Sequence, residues 1–413
     1  MTPSPFPPEL VLLVVEHLPD MASLQNCALA ASIFLHPCQK QIYETLFIAG
    51  VQDQHETEIQ ARPVHAYEDA LRHLEGSPHL ARYVQTLHIA VSGDRWNGDE
   101  KTVATLFRRL TCVRRCSVLG KLSFTTWAAV PRSVQGVLLE WILEQSMLEE
   151  LYVSRIVGLP RPVFHVFLNS APSILLVQVE VTVDSGDSVE EAEWMHKIMI
   201  SSRDTFFKTI LELSLDHSPE IEPILEEPEF AGYIGSLQVI HANATHTNAL
   251  CFASARTLKE IHLSCTTAMD TDFVPFPPAF PQLRIFQLTV GLHHLCEDPT
   301  VPDAQLCFLP QLLSVLIENT PCPNLLEITI NIVLLHVPTL PLPPLSKDVM
   351  GRLDTLFQKL SPLEAVHWFP VAPNSLGITP SWITTAFGEA VVRGLPKMAK
   401  AGKVVIDECN LTF

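Results

Sequence analysis

Residues 148–153 read Leu-Glu-Glu-Leu-Tyr-Val, and residues 258–263 read Leu-Lys-Glu-Ile-His-Leu. Both obey one rule: aliphatic, two variable residues, aliphatic, one variable residue, aliphatic. The rule returns at Val84-x-x-Leu87-x-Ile89, Val113-x-x-Cys116-x-Val118, Ile174-x-x-Val177-x-Val179 and Ile210-x-x-Leu213-x-Leu215. It returns again at Leu237-x-x-Ile240-x-Ala242, Leu283-x-x-Phe286-x-Leu288, Leu325-x-x-Ile328-x-Ile330 and Leu363-x-x-Val366-x-Trp368. Successive units are about 31 residues apart on average. Alternation within each unit sends every second side chain to one face, which is a strand signal.

Helical segments lie between these strands. Ser133–Gln145 carries Val134, Val137, Leu138, Trp141 and Ile142 at helical spacing. Val189–Ile200, Gln305–Ile317 and Lys347–Leu360 read similarly, and Phe387–Val392, with Met398 beyond, opens a last helix before a strand at Val404–Ile406. Strand and helix in alternation predict an α/β chain with a parallel sheet. Two architectures share this signature, an open solenoid and a closed (βα) barrel. Ten units exceed the eight strands of a barrel, and the spacing runs irregularly from 21 residues (Leu237 to Leu258) to 42. Both points favour the solenoid.

The chain has 413 residues, 47% of them hydrophobic and only 17% charged. That is too long for one compact domain unless it is a repeat array, and too apolar for a disordered chain. A net charge of −18 repels nucleic acid and anionic membranes, so neither is an expected partner. Arg108-Arg109 and Arg114-Arg115, the compact basic cluster, read as a solvated helix face. Val11–Val15 is too short for a signal peptide and follows acidic Glu9, and no run of about 18 apolar residues exists. Ten cysteines in this length suit free thiols in a reducing compartment, so Asn243-Ala-Thr and Asn410-Leu-Thr would not be glycosylated. Cytoplasm or nucleus is the expected location.

The front of the chain is different. Residues 6–20 read Phe-Pro-Pro-Glu-Leu-Val-Leu-Leu-Val-Val-Glu-His-Leu-Pro-Asp. Pro7 and Pro8 suit the first turn of a helix, and Glu9 favours its positive end. Leu10, Leu13, Val14, His17 and Leu18 form one apolar stripe. Pro19 ends the helix and Asp20 can cap a second one, which offers Leu24, Cys27, Ala28 and Ala31 on one face. Pro37 marks a third helix, with Ile42, Leu46 and Phe47 apolar along Gln39–Ile48. Three short helices bury little core unaided, so such a unit calls for a partner.

This stretch resembles an F-box. Phe6-Pro7 stands for the family's opening Leu-Pro, Glu9-Leu10 for its Glu-Leu and Leu18-Pro19 for its second Leu-Pro, while Leu24 and Phe34 match a later leucine and aromatic. Ala30, Ala31 and Ser32 depart from the family's Val-Cys-Arg, which removes a basic contact. The match covers residues 6–48. It implies docking onto the Skp-type adaptor of a cullin (SCF) ubiquitin ligase through Phe6, Pro7, Leu10, Val14, Leu18 and Leu24. The units behind it resemble the divergent leucine-rich repeats joined to F-boxes in fungi. The expected layout is an F-box module at 1–48, a linker at 49–80 and a leucine-rich-repeat-like solenoid at 81–413.

The repeat is degenerate. Regular leucine-rich repeats carry Asn or Cys five residues after the second anchor. Here those positions hold Ser92, Lys121, Ile156, Thr182, Ser218, Thr245, Thr266, Gly291, Val333 and Val371. Ser or Thr can partly replace that hydrogen bonding, so each turn should close differently. Insertions at Thr266–Gln282, Val337–Ser346, Glu180–Glu193 and Asp216–Glu229 are expected as loops along one edge, the acidic pair suited to a basic target segment.

No G-x-S-x-G, H-E-x-x-H, P-loop or G-x-G-x-x-G occurs, and no Cys-x-x-Cys. Cys112 and Cys116 read as core, His293, His294 and Cys296 as loop residues, and Asp184, Asp187, Glu190 and Glu191 as a solvated face. No catalytic residue, metal or cofactor is expected, and the chain is not expected to be an enzyme. The expected function is substrate recognition for a ligase: the F-box holds the adaptor, and the repeats hold a protein target the sequence does not name. A non-ligase interaction scaffold is the alternative, and a (βα) barrel enzyme the third.

Overall fold

The computed structural model describes residues 7–18, 20–49, 64–91, 100–121, 123–182, 209–218, 220–228, 230–243, 247–265, 276–292, 308–334, 346–371 and 381–407. The chain divides into two compact units, Met1–Ile210 and Leu211–Phe413. Both are mixed α/β.

The first unit opens with three helices, α1 (Pro8–Glu16), α2 (Met21–Ala30) and α3 (Ser32–Tyr43). Strands β1 (Thr45–Ile48) and β2 (Val64–His65) follow, then helix α4 (Tyr67–Gly76) and β3 (Thr86–Ala90). Next come α5 (Glu100–Arg109), β4 (Arg115–Leu119), the short β5 (Thr125–Thr126), α6 (Arg132–Glu144) and β6 (Glu150–Ser154). The short β7 (Ile156–Val157) and β8 (Leu159–Pro160), α7 (Arg161–Leu168), β9 (Ser173–Val177) and β10 (Val181–Thr182) complete it. The sheet runs β2-β1-β3-β4-β6-β9, all parallel. Parallel neighbours need crossovers, and α4, α5, α6 and α7 supply those that lead into β3, β4, β6 and β9.

The second unit holds β11 (Glu212–Asp216), α8 (Ile221–Leu225), α9 (Ala231–Ile234), β12 (Val239–Asn243), α10 (Asn248–Ser254) and β13 (Glu260–Cys265). After β14 (Ile285–Leu292), α11 (Phe308–Ser314) runs into a π-helical turn at Val315–Asn319, followed by β15 (Glu327–Leu334). Helix α12 (Lys347–Phe357), β16 (Ala365–Val371), α13 (Ser381–Gly394), α14 (Pro396–Lys400) and β17 (Val404–Ile406) end it. Its sheet runs from β11 to β17 in chain order, again parallel. In neither unit do the first and last strands pair, among the described residues.

The aliphatic rule sets the register. In the first unit Leu46, Leu87, Cys116, Leu151 and Ile174 stand side by side, and Ile48, Ile89, Val118, Val153 and Leu176 make the next rung. In the second, Leu213, Ile240, Ile261, Phe286, Ile328, Val366 and Val404 align, then Leu215, Ala242, Leu263, Leu288, Ile330, Trp368 and Ile406. All but Val404 and Ile406 on the edge strand are buried. Each large anchor buried contributes roughly 1.5–3 kcal/mol. A one-residue slip would expose a whole rung, so the register is strongly held.

Several expectations are met and several corrected. Helices at Ser133–Gln145 and Lys347–Leu360 appear as α6 and α12, and the last strand lies at Val404–Ile406. Val189–Ile200 lies outside the described residues. The third helix opens at Ser32, not Pro37, after an extended Ala31 (φ −157°, ψ 146°), and Pro37 sits inside it. Burial of Cys38 and partial burial of Phe34 and Ile42 in the small core offset the hydrogen bond Pro37 cannot make. The run Gln39–Ile48 is not one helix. Its end is β1, because Leu46 and Ile48 fill the same rungs as Leu87 and Ile89. Segment 49–80 is not a plain linker, since α4 buries Tyr67, Ala70 and Leu74 there.

The unit at Ile174 is displaced by three residues. Ala171, Ile174 and Leu176 are the buried anchors, and Val177 is half-buried. Alanine at the first anchor is a weak apolar signal, which is why Ile174 read as first instead of second. The turns also close one residue earlier than expected. Arg155, Gln178 and His217 directly follow β6, β9 and β11 with φ of 58°, 55° and 51°, a left-handed conformation uncommon for such residues. Gly120 holds the equivalent place after β4. A Cβ there would lie 2.0 Å from the Arg155 carbonyl oxygen, so the close approach requires glycine.

Candidate partner-docking site

Helix α1 is apolar at every position from Leu10 to Val15. Pro7 sits exposed at its N-cap, Pro8 begins it, and Glu9 lies in its first turn. Val11 and Val15 are buried, and Leu18 packs half-buried against the same core. That core consists of Val15, Leu24 and Cys38, with Cys27, Ala28, Phe34 and Ile42 partly buried around it. The opposite side of the helix faces out. Leu10, Leu13 and Val14 are 48, 52 and 48% exposed, and His17 continues the line one turn on. Positions i, i+3, i+4 and i+7 share one helix face. The imidazole of His17 lies 2.9 Å (Nδ1) from the Leu13 carbonyl oxygen, closing the helix end.

The supporting helices are locally well specified. Asp20 caps α2, accepting the Ser23 N–H at 2.8 Å and the Ser23 hydroxyl at 3.0 Å, as the sequence led us to expect. Those hydrogen bonds hold the Asp20 carboxyl below its ordinary range. Leu29 at the end of α2 is 84% exposed, and Leu35 on α3 is 43% exposed.

The expected site residues therefore separate. Pro7, Leu10 and Val14 lie on the surface, and Leu18 is half-buried. Leu24 is a correction: it is a core residue, because it fills the space between Val15 and Cys38. Phe6 lies outside the described residues. Leu12, Leu29 and Leu35 went unassigned in the sequence, and Leu13 was placed on the apolar stripe but not among the docking residues. The signal for Leu12 and for the exposure of Leu13 was there: five aliphatics in a row, Val11–Val15, must put some on the outer side of any helix.

A second surface lies on the open face of the second unit's sheet. Between the buried rungs the outward residues are Ser214, His241, His262, Gln287, Thr329, His367 and Val405. The His241 and His262 rings lie 4.2 Å apart between centroids. His241 Nε2 is 3.2 Å from Glu212, His262 Nε2 is 3.3 Å from Glu260, and His367 Nδ1 is 2.8 Å from Asp407. Burial, helped by His241, holds His262 below the ordinary imidazole value against the opposing pull of Glu260.

The acidic insertions fare unevenly. Asp184, Asp187, Glu190 and Glu191 lie outside the described residues, as do most of Thr266–Gln282 and Val337–Ser346. Asp216–Glu229 is not simply a surface loop. It contains α8, where Ile221, Ile224 and Leu225 are buried and so is Glu222. Glu222 accepts the Ala249 N–H at 3.2 Å, in the first turn of α10. Burial, its largest influence, raises its carboxyl to about 8.

Among the described residues no three His, Cys, Asp or Glu side chains are grouped to hold a metal ion, and no helix is long and apolar enough to cross a membrane. His293, His294 and Cys296 lie outside those residues, and Cys116 is buried while Cys112 is half-buried. Arg109 reaches Glu75 at 3.3 Å and Arg114 reaches Glu149 at 2.6 Å, so half of the basic cluster is paired. No protein-family model and no curated protein matches this chain.

Proposed function

We propose that the chain is a substrate-recognition subunit of a cullin-type (SCF) ubiquitin ligase. Helices α1–α3 would be its F-box, docking on a Skp-type adaptor. The parallel sheet and its helices would be an irregular leucine-rich-repeat-like solenoid that holds a protein target. One observation carries the reading: Leu10, Leu13 and Val14 form an exposed aliphatic stripe on a three-helix module with a very small core of its own. Apolar surface left in that position is characteristic of a docking face. The linear strand order supports a solenoid over a closed barrel. The chain itself would perform no bond chemistry. It would raise the effective concentration of target lysines near a conjugating enzyme carried by the ligase.

The scaffold reading rests on Ala30-Ala31-Ser32, which offers no basic group where the resembled family has one. Co-purification with a Skp-type adaptor separates the two. Deletion to residue 50 is a poor tool, because it also removes β1 from between β2 and β3 in the sheet. Leu10→Asp with Val14→Asp is better, since both side chains are exposed and the fold should survive. Wild-type binding lost in the double variant supports the F-box reading. Binding retained by the variant refutes it, and no binding by the wild type leaves the scaffold.

A further inference from the structure

Two thiols meet in the module that carries the exposed stripe. Cys27 lies on α2, half-buried, and Cys38 lies on α3, wholly buried. Cys27 packs against the cluster that Cys38 shares with Val15 and Leu24, and the two side chains are in hydrogen-bond contact. We propose that Cys27 and Cys38 are an oxidative modification site, which hydrogen peroxide converts to a disulfide that ties α2 to α3. Cys27 is the sulfur that peroxide reaches first, because Cys38 has no exposed surface. Burial, together with the neighbouring thiol, raises Cys38 to about 11, so it is the poorer first nucleophile.

The chemistry closes on this pair. The Cys27 sulfur attacks one peroxide oxygen and the O–O bond breaks, leaving a sulfenic acid and one water. The Cys38 sulfur then attacks the Cys27 sulfur, the S–O bond breaks, and the second oxygen leaves as water. The two sulfurs give up two electrons, the peroxide takes them, and both thiol protons end in water. Val15 of α1 rests on the same core, so the bridge stiffens the platform beneath the stripe.

The test uses the full chain without any adaptor, so its result is independent of the ligase reading. The native protein is treated with hydrogen peroxide, free thiols are alkylated after unfolding, and the protein is cut with chymotrypsin. Phe34 and Leu35 lie between the two cysteines, so cleavage there leaves fragments joined only by the new bond. The expected product is that linked pair, lost on reduction with dithiothreitol. Amide exchange in α2 and α3 should slow roughly tenfold or more in the oxidised protein. Cys38→Ala should stop at a sulfenic acid on Cys27 that dimedone traps. Alkylated Cys38 beside an oxidised Cys27 in the native chain, or Cys27 linked to another cysteine, would overturn the proposal, and so would a bridge that leaves exchange unchanged.

Discussion

Replacing Glu222 by Gln should remove a pH-dependent weakness from the second unit. In the folded chain this carboxyl is 6% exposed and raised to about 8, against an ordinary 4.5. Near neutrality it is therefore mostly protonated when folded and ionised when unfolded, so unfolding releases a proton. Stability is then highest below about pH 4.5, falls as pH rises towards 8, and levels off above it. One proton costs 1.36 kcal/mol per pH unit, a ceiling of about 3 kcal/mol between pH 4.5 and 7. The Ala249 N–H already opposes that rise, and the expected cost at pH 7 is about 2–3 kcal/mol. Glutamine keeps a carbonyl oxygen for Ala249 and cannot ionise. Urea unfolding followed by circular dichroism at pH 5, 6, 7 and 8 measures the effect as a difference between two chains. Other titrating groups cancel in that difference. The variant should gain on the wild type steadily from pH 5 to 8. Parallel pH profiles for the two proteins would show that Glu222 is not held protonated by burial.

Other expectations follow from contacts at single residues. Leu24→Ala should cost the three-helix module about 2–4 kcal/mol by opening a cavity beside Val15 and Cys38, whereas Leu10→Ala should cost under about 0.5 kcal/mol; thermal unfolding compares them. Asp354 is 3% exposed and accepts the Lys397 and Met398 N–H groups at 3.3 and 3.0 Å, so Asp354→Ala should cost about 2–3 kcal/mol, with early exchange of the α14 amides. Gly120→Ala drives a Cβ against the Arg155 carbonyl and should cost about 1–3 kcal/mol by urea titration; a neutral result would mean that the β4 and β6 turns do not approach so closely.

The exposed stripe on α1 and the buried anchors of the sheets are built from the same residue types, and only their surroundings tell them apart. Leu10 and Val14 read as adaptor contacts, and the fold leaves both at the surface. Leu24 read the same way, yet it is enclosed between helices. A single helix period cannot separate these cases, because Val11–Val15 is apolar at every position and offers no polar side as a reference. The partner that would cover the stripe leaves no mark in this chain beyond the exposure itself.

Alternation by twos, repeated along the chain, was enough to predict parallel strands and most of their register, because a strand with one buried side cannot hide its period. Local chemistry likewise announced the cap at Asp20 and the helices at α6 and α12. What the residues alone did not decide was where local signals compete with pairing. Thr45–Ile48 follows a helix without a break signal and becomes a strand only because β3 lies beside it. Ala171 is an anchor only because Ile174 and Leu176 align with Leu151 and Val153. Arg155 and Gln178 adopt left-handed turns that their residue preferences do not favour, since the geometry of the adjoining strands demands a turn there. Glu222 became a buried carboxyl because α8 and α10 close around it, an environment made by distant segments and absent from the acidic run in which it is written.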